Sequence, residues 1–368
     1  MSDVPALRFP EFKGEWEKCK LSKVCSFFSG GTPPSSNKEY YNGNIPFIRS
    51  GELHNDETEL FITKEGLDNS AAKTVEVGDL LLALYGATSG DIAISKIKGA
   101  INQAILCIRT KQNKKFVESV WNKHVARLLQ TYLQGGQGNL SADIVKNIPF
   151  YFTNVEEQNK LARFISLLDQ RIAAQNKIIE DLKKLKSAIS HILFSSKGAI
   201  HLSEIANVVM GQSPSSNAYN DQGLGMPLVQ GNLDISNGKT TPRLYTAEFN
   251  QTTEKGNIIL TVRAPVGEVA KATQKVCLGR GVCAIIPHEE NMSDFIYQYL
   301  TFYKFMWRRY EQGSTFTSIN GSDVRNIFCP KVRNVSILTL LDIKINIEER
   351  VVKQYQSQKQ YMLYQMFI

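Results

Sequence analysis

The chain has 368 residues, of which 42% are hydrophobic and 21% are charged. This length exceeds one typical domain and suffices for two domains of ordinary size with connecting helices. The composition is globular, and no apolar run is long enough to span a bilayer, which excludes an integral membrane protein. Lysine and arginine outnumber aspartate and glutamate by 43 to 35, and the net charge of +8 suits a polyanionic partner.

The N-terminus and the cysteines indicate the compartment. The first residues lack the basic stretch and apolar core of a signal peptide, so we expect a cytoplasmic protein. The cysteines are scattered, with no CxxC pair and no histidine at zinc-ligand spacing. They are Cys19, Cys25, Cys107, Cys277, Cys283 and Cys329. We expect core thiols and no metal site.

Taken in chain order, the first predicted elements recur about 180 positions later. The stretch 21–37 matches 202–217, each an apolar start followed by a loop rich in proline, serine and asparagine. Residues 44–53 and 225–233 are apolar strands that run into polar residues, and 77–83 and 255–261 are turns that feed a buried strand. The order is the same in both halves, which indicates a duplicated module.

Between these landmarks, each half has short β-rich runs followed by one helix. The helices are predicted over 116–133 and 295–310. No regular βαβ alternation appears, so the pattern favours an α+β fold over a doubly wound sheet.

Each half closes with a helical segment whose apolar residues follow the alternating four-three spacing of a coiled-coil seam. In the first segment the seam is Leu161, Ile165, Leu168, Ile172, Ile179, Leu182, Ile189 and Leu193. In the second, in a register offset by 173 positions, it is Leu338, Leu341, Ile345, Val352, Tyr355, Met362 and Met366. The polar interruptions Gln175 and Lys186 recur as Glu348 and Lys359. Shared interruptions favour duplication over chance.

These boundaries predict a globular domain over 1–152, a spacer helix over 153–196, a second domain over 197–332 and a C-terminal helix over 333–368. The predicted fold has two similar α+β domains separated by two long antiparallel coiled-coil helices, with a pseudo-twofold internal repeat. About 40 residues at roughly 1.5 Å each give a rod on the order of 60 Å. Two DNA-binding domains related by a pseudo-twofold axis would contact two half-sites about one turn, ~34 Å, apart on a duplex.

Sequences that look catalytic fail on their context. Residues 44–47 and 147–150 lack the first proline of the Asn-Pro-Pro-Phe signature of amino-group methyltransferases. The Gly-Arg-Gly at 279–281 runs into a strand, whereas a dinucleotide fingerprint opens a helix. Neither a Walker-type phosphate loop nor an HExxH motif is present. We therefore expect no catalysis by this chain.

Polar loops at matching points of the repeat are the candidate DNA contacts, because small residues beside amides and hydroxyls let a backbone approach DNA closely. In the first half they are Ser35, Ser36, Asn37, Lys38, Gln134, Gln137 and Asn139. In the second half they are Ser215, Ser216, Asn217, Gln230, Asn232, Ser314, Thr315, Thr317, Ser318 and Asn320. Ordinary turns remain the alternative for the serine-rich loops.

Arginines that follow predicted strands form a second group of candidates. Arg49, Arg263 and Arg280 could each fork onto a guanine. An arginine beside a strand more often pairs with a carboxylate, and that alternative stays open.

Motifs in a fixed order cover essentially the whole chain. The first half contains LRFPEF (7–12), GEWE (14–17), GGTP (30–33), GATSG (86–90), EEQNKLA (156–162) and LLD (167–169). The second half contains QGNL (230–233), TVRAPVG (261–267), GRG (279–281) and QGST (312–315). In these motifs the chain resembles the specificity subunits of type I restriction-modification systems. It departs from the pattern in one place, because the second half lacks a clear EEQxKxA run at the start of its helix.

The resemblance implies a non-catalytic subunit that reads a split, asymmetric site in double-stranded DNA, with one half read by each domain. Two methyltransferase subunits would dock on the helices and methylate a flipped adenine with S-adenosylmethionine. ATP-driven restriction and translocase subunits would complete the complex, and neither cofactor would bind this chain. Two alternatives remain: the recognition module of another phage-defence or DNA-modification system, and a scaffold whose basic charge has no role.

Overall fold

The computed structural model describes residues 4–133, 139–195, 200–310, 318–332 and 334–368. The chain divides into two compact units, residues 1–175 with 351–368 and residues 176–350. Each unit contains a mixed helix and sheet domain and part of each of two long helices. Within the described ranges, no helix has the length and apolar character needed to cross a membrane.

The first unit is built on two four-stranded sheets. Its strands are β1 (Glu17–Lys20), β2 (Cys25–Ser29), β3 (Tyr41–Ile48), β4 (Phe61–Ile62), β5 (Lys73–Val75), β6 (Leu80–Ala83), β7 (Ile92–Ile94), β8 (Gly99–Ile101), β9 (Ile105–Thr110) and β10 (Pro149–Phe152). Its helices are α1 (Leu21–Val24), α2 (Lys64–Asp68), α3 (Lys114–Leu133), α4 (Ala142–Asn147) and the first part of α5 (Val155–Phe194). The sheet orders are β2-β9-β6-β7 and β4-β3-β8-β5, with β1 and β10 as a separate pair.

The second unit has more strands on the same plan. They are β11 (Ile200–His201), β12 (Ala206–Met210), β13 (Tyr219–Asn220), β14 (Met226–Val229), β15 (Ile235–Ser236), β16 (Lys239–Thr240), β17 (Leu244–Thr246), β18 (Thr252–Thr253), β19 (Ile258–Thr261), β20 (Val269–Lys271), β21 (Val276–Leu278), β22 (Val282–Pro287) and β23 (Phe328–Cys329). The helices are α6 (Leu202–Ile205), α7 (Ser293–Tyr303), α8 (Gly321–Arg325) and α9 (Ser336–Met366), whose last part belongs to the first unit. The helix predicted over 295–310 is α-helical only to Tyr303 and continues as a 3-10 helix over Lys304–Tyr310.

The sequence repeat is also a repeat of sheet topology. The order β12-β22-β19-β20 repeats β2-β9-β6-β7, and β17-β14-β21-β18 repeats β4-β3-β8-β5. Each second sheet contains a parallel pair, β3 with β8 and β14 with β21. The second unit adds β16 and β15 at the edge of one sheet and β13 at the edge of the other. Both domains therefore present their loops from the same framework.

Central strands buried on both faces explain the continuous apolar runs. Leu80 and Leu82 of β6 pack in one core with Trp121 of α3, whereas Leu81 faces a second core between the two sheets. Strand β19 divides its side chains between two cores in the same way. Each fully buried side chain of this size stabilises the fold by about 1.5–3 kcal/mol. The polar loops lie outside these cores, so their side chains are not needed for core packing.

The two long helices begin differently. Asn154 caps α5 by accepting the Glu157 N–H at 2.9 Å. Arg8 then forks onto the buried Glu157 carboxylate at 2.7 and 2.8 Å, which joins the N-terminal segment to the helix. Helix α9 begins at Ser336, which the 173-position offset aligns with Arg163, eight residues into α5. The second helix therefore lacks the two turns that contain the EEQ run in the first.

Candidate DNA interface

The serine-rich loops of both domains lie on the surface. The exposed side chains are Ser35, Ser36, Asn37 and Lys38 in the first domain and Ser215, Ser216 and Asn217 in the second. The Tyr41 hydroxyl donates to the Pro33 carbonyl at 2.5 Å, and the Tyr219 hydroxyl donates to the Pro214 carbonyl at 3.1 Å. The same tyrosine-to-proline bond fixes the base of each loop, so equivalent backbones present these polar residues.

Arg49, which follows β3, is held by carboxylates of its own domain. Its guanidinium donates to Glu52 at 2.8 and 3.2 Å and to Glu59 at 2.9 Å. Burial alone would raise the pKa of Glu52, but hydrogen bonds from the Arg49 side chain and from backbone N–H groups lower it to about 2. The bond to Glu52, with that to Glu59, raises the pKa of Arg49. The structure thus gives Arg49 the carboxylate partners that were the alternative to a guanine fork.

In the second domain, several candidates line one surface depression of about 330 Å³. The candidates are Gln230, Asn232, Arg263 and Arg280, and the lining also includes Ser213, Asp234 and Arg243. The Asp234 carboxylate accepts the Gln230 N–H at 2.8 Å and the Arg243 Nε–H at 3.0 Å. Asp234 is 2% exposed, and a buried charge of this kind requires such partners.

Sequence reasoning missed Asp234 and Arg243 as parts of this site. They lie nine residues apart in a segment without a recognisable motif. One signal was available, because Asp234 follows β14 at nearly the position where Glu52 follows β3. A carboxylate shortly after the same strand in both halves indicates a shared turn.

Arg263 and Arg280 have no carboxylate partner among the described residues. Both side chains are exposed. The Arg280 backbone N–H donates to the Ser213 hydroxyl at 3.1 Å, and Arg263 forms an isolated β-bridge with Ser318. The backbone of each arginine is therefore positioned while its guanidinium stays available.

The corresponding positions of the first domain carry neutral side chains. Gln103 and Arg280 each stand two residues after the end of the parallel strand, β8 or β21. Tyr85 and Arg263 each stand two residues after the end of the central strand, β6 or β19. Gln103 accepts a hydrogen bond from the Thr32 hydroxyl. The two domains therefore present different chemistry at the same loops.

The remaining candidates precede α4 and α8 in the sequence. Gln134, Gln137, Ser314, Thr315 and Thr317 lie outside the described residues. Asn139 and Ser318 are exposed. Asn320 caps α8, because its side-chain oxygen accepts the N–H groups of Ser322 at 2.8 Å and Asp323 at 3.0 Å. Its oxygen is thus engaged by the helix.

Every seam position of the two long helices is buried or partly buried. In the first unit, Asp169 pairs with Lys359 at 2.5 Å, and in the second unit Asp342 pairs with Lys186 at 2.6 Å. Both differences, 342 − 169 and 359 − 186, equal the 173-position offset of the repeat. The same ion pair is therefore formed once in each unit, with the roles of the helices exchanged.

Further pairs show the direction of the helices within each unit. In the first unit, Arg171 of α5 donates to the Tyr355 hydroxyl of α9 at 3.2 Å. Arg171 follows Asp169 by two residues, whereas Tyr355 precedes Lys359 by four. In the second unit, Lys183 pairs with Glu349 at 2.7 Å. In both units the position on α9 falls as the position on α5 rises, so the segments are antiparallel.

The potential metal ligands and the cysteine thiols form a separate group of side chains. Within the described ranges, no group of three or more His, Cys, Asp or Glu side chains is arranged to hold a metal ion. All the cysteines are free, and burial raises the pKa of the Cys107, Cys283 and Cys329 thiols to about 12. Protonated buried thiols of this kind are inert. Cys19 and Cys25 are partly buried and pack against the core of the first domain.

The family described as type I restriction modification DNA specificity domain matches the chain twice, over residues 13–184 and 198–354. The chain belongs to this family. A relative from Methanocaldococcus jannaschii, the putative type I restriction enzyme MjaX specificity subunit, is 26% identical over 357 residues, which cover 87% of this chain and 84% of the relative. The HindI specificity subunit of Haemophilus influenzae is 26% identical over 136 residues, 34% of this chain and 29% of its own length.

Solved structures of type I systems share the fold of this specificity-domain protein. The crystal structure of the S subunit from M. genitalium has a TM-score of 0.65 at 18% identity and covers 99% of both chains. A chain from a structure on assembly and conformational transition of the type I system has a TM-score of 0.61 at 20% identity and covers 95% of this chain and 96% of that one. The family resemblance is confirmed, and the role is DNA sequence specificity with one half of a two-part site for each domain.

Proposed function

We propose that this chain selects a two-part, asymmetric DNA sequence in the cytoplasm and directs methylation or restriction there by partner subunits. The recognition domains are residues 1–152 and 197–332, and residues 153–196 and 333–368 are the spacers. The supporting observation is that one sheet framework, repeated, presents Gln103 and Tyr85 in the first domain where Arg280 and Arg263 stand in the second. Different side chains on equivalent loops read different bases, so the two half-sites differ.

The chain itself performs no chemical step in this proposal. S-adenosylmethionine acts on two methyltransferase subunits, and ATP acts on the restriction and translocase subunits.

A surface for the methyltransferase subunits lies on the outer faces of the helices. Large apolar side chains that remain exposed on α5 are Val155, Leu167, Ile178, Leu185 and Ile192. Those on α9 are Ile337, Leu340, Ile343, Ile347, Tyr361 and Tyr364. Single exposed apolar residues are ordinary, but Ile178, Leu185 and Ile192 recur at intervals of seven and form a stripe. Such a stripe suits a partner helix or an apolar groove of a partner subunit.

Methylome mapping tests the central claim. The chain would be produced with its methyltransferase subunit, and methylated adenines would be located across a genome by single-molecule sequencing. We expect one sequence with two different specified halves around unspecified bases. Methylation at an unsplit sequence, or at none, would contradict the proposal.

Salt dependence separates a DNA reader from a scaffold. Contacts to phosphates release counterions, so binding of the full chain to duplex DNA should weaken by at least about 10²-fold between 50 and 200 mM salt. Shallow, salt-insensitive binding would favour the scaffold.

The length of α5 offers a test of spacing. The helix has 40 residues, and one added turn of four residues would lengthen it by about 6 Å. We expect the unspecified gap in the methylated sequence to widen while both halves stay the same. An unchanged gap would show that the helices do not set the spacing.

A further inference from the structure

The depression in the second domain combines free guanidinium groups with a fixed backbone. Arg263 and Arg280 both line it, both are exposed, and neither has a carboxylate partner among the described residues. The acidic side chain in the lining, Asp234, is already bonded to the Gln230 N–H and to Arg243. The charge of these two arginines is therefore directed to solvent and available to a ligand with hydrogen-bond acceptors.

The Gly-Arg-Gly segment is shaped by its neighbours. A Cβ on Gly281 would lie 2.1 Å from the carbonyl oxygen of Gln230, and one on Gly279 would lie 3.0 Å from the Gln230 side chain. Glycine at both positions lets the Gln230 backbone pack against the loop. The Arg280 N–H also donates to Ser213, so the backbone of Arg280 is already fixed before a ligand binds. Ligand binding would therefore cost only the conformational entropy of the Arg280 side chain.

Asp234 and Arg243 act as positioning residues for this arrangement. The carboxylate holds the first residue after β14, Gln230, and the guanidinium of Arg243 neutralises it from the other side. The amides of Gln230 and Asn232 then lie in the same depression as the two arginines. Two forked donors beside amides that both donate and accept match a base edge, whereas a phosphate offers only acceptors.

We propose that Arg263 and Arg280 read guanines in the half-site of the second domain, each forking onto the O6 and N7 atoms of one base in the major groove. The inference rests on the proposed function. The first domain has Tyr85 and Gln103 at these positions, and its Arg49 is bound by two carboxylates, so these loops give its half-site no arginine fork. The guanine requirement therefore belongs to one half of the site.

Selection from a randomised duplex tests this directly. The purified full chain is mixed with a pool of double-stranded DNA, and the bound fraction is sequenced. The wild type should enrich a two-part sequence with guanine in one half. Arg263→Gln and Arg280→Gln should each lower the preference for guanine at one position of that half by about tenfold or more, with the other half retained.

Two further variants distinguish base reading from phosphate binding. Arg280→Lys keeps the charge and can still donate to a guanine but loses the planar fork, so its guanine preference should lie between that of the wild type and that of Arg280→Gln. The matched control is Lys255→Gln, which removes an exposed charge elsewhere in the same domain and should leave every base preference intact. A uniform loss of affinity for all sequences in the glutamine variants, with every base preference unchanged, would show phosphate contacts and overturn the inference.

The possible failures are separable. If the wild type enriches no two-part sequence, the proposed function itself fails. If it enriches one in which neither arginine variant changes a guanine preference, or in which the two variants affect different halves, only the guanine assignment fails.

Discussion

The turns after β3 and after β14 contain the same internal hydrogen bond but differ in the charged side chains around it. In each, a buried carboxylate accepts the N–H of the first residue after the strand, Glu52 from Arg49 at 3.0 Å and Asp234 from Gln230 at 2.8 Å. In the first domain the Arg49 guanidinium donates to this carboxylate and to Glu59. In the second, Arg263 and Arg280 beside the turn have no carboxylate partner in the part of the chain that the structure describes. The framework is duplicated, whereas the candidate DNA-contacting side chains on it have diverged.

Replacement of one whole domain should have the largest effect on the recognised DNA sequence. If residues 1–152 are replaced by the equivalent domain of another family member, one half of the methylated sequence should change and the other half should stay. The reason is that each domain has its own sheets and cores, so its loops do not depend on the other copy. Methylome sequencing measures the result. A change in both halves would refute independent readers.

Removal of the buried carboxylates should have the next largest effect. Glu52→Ala leaves the Arg49 N–H without its acceptor, and Asp234→Ala does the same to Gln230. Breaking a buried pair costs about 3–5 kcal/mol, but the arginine partners are about half exposed, so we expect about 2 kcal/mol in each domain. Hydrogen exchange of peptides from each turn measures the loss locally.

Glu59→Ala is the matched control, because Glu59 also pairs with Arg49 but its side chain is 88% exposed. An exposed pair contributes about 0–1 kcal/mol, so protection should hardly change. Equal losses in Glu52→Ala and Glu59→Ala would mean that burial is not what makes the Glu52 bond strong.

The same turns show which features a sequence can reveal. The repeat, the α+β class and the helical seams are encoded in the spacing of apolar residues, which is a local property. Leu80, Leu81 and Leu82 predicted a buried strand because a strand covered on both faces needs an unbroken apolar run. The missing EEQ run correctly marked the start of the second helix as the place where the copies differ.

The partners of charged side chains could not be predicted in this way. Glu59 reaches Arg49 over ten residues and Arg243 reaches Asp234 over nine, and both approaches depend on how a loop closes. A sequence lists arginines without showing which ones their own domain already neutralises. That distinction decides which guanidinium groups can meet DNA.

The seam offers a smaller test of the same comparison. Asp169 is joined by two cations, Lys359 at 2.5 Å and Lys115 at 2.7 Å, whereas Asp342 is joined by Lys186 and the neutral amide of Gln298. Asp169→Asn should therefore cost about 1–2 kcal/mol, and Asp342→Asn should cost less, about 1 kcal/mol. Hydrogen exchange along α5 and α9 compares them. A larger loss of stability in Asp342→Asn would show that the number of cations around each carboxylate does not determine the stability of the helix pair.

Acid titration of Glu52 tests the hydrogen bonds of the first turn without a mutation. Burial by itself would raise the pKa of this carboxyl from its ordinary 4.5, but bonds from Arg49 lower it to about 2. A lowered pKa stabilises the fold fully above pH 4.5, and this contribution is lost as pH falls from about 4.5 towards 2. The carboxyl carbon shift of Glu52 in NMR, followed from pH 6 to pH 2, should titrate at the acidic end of that range (about pH 2), and the stability difference from Glu52→Ala should shrink as it does. Titration near 4.5 would mean that Arg49 is not held by Glu52 and keeps only its bond to the exposed Glu59.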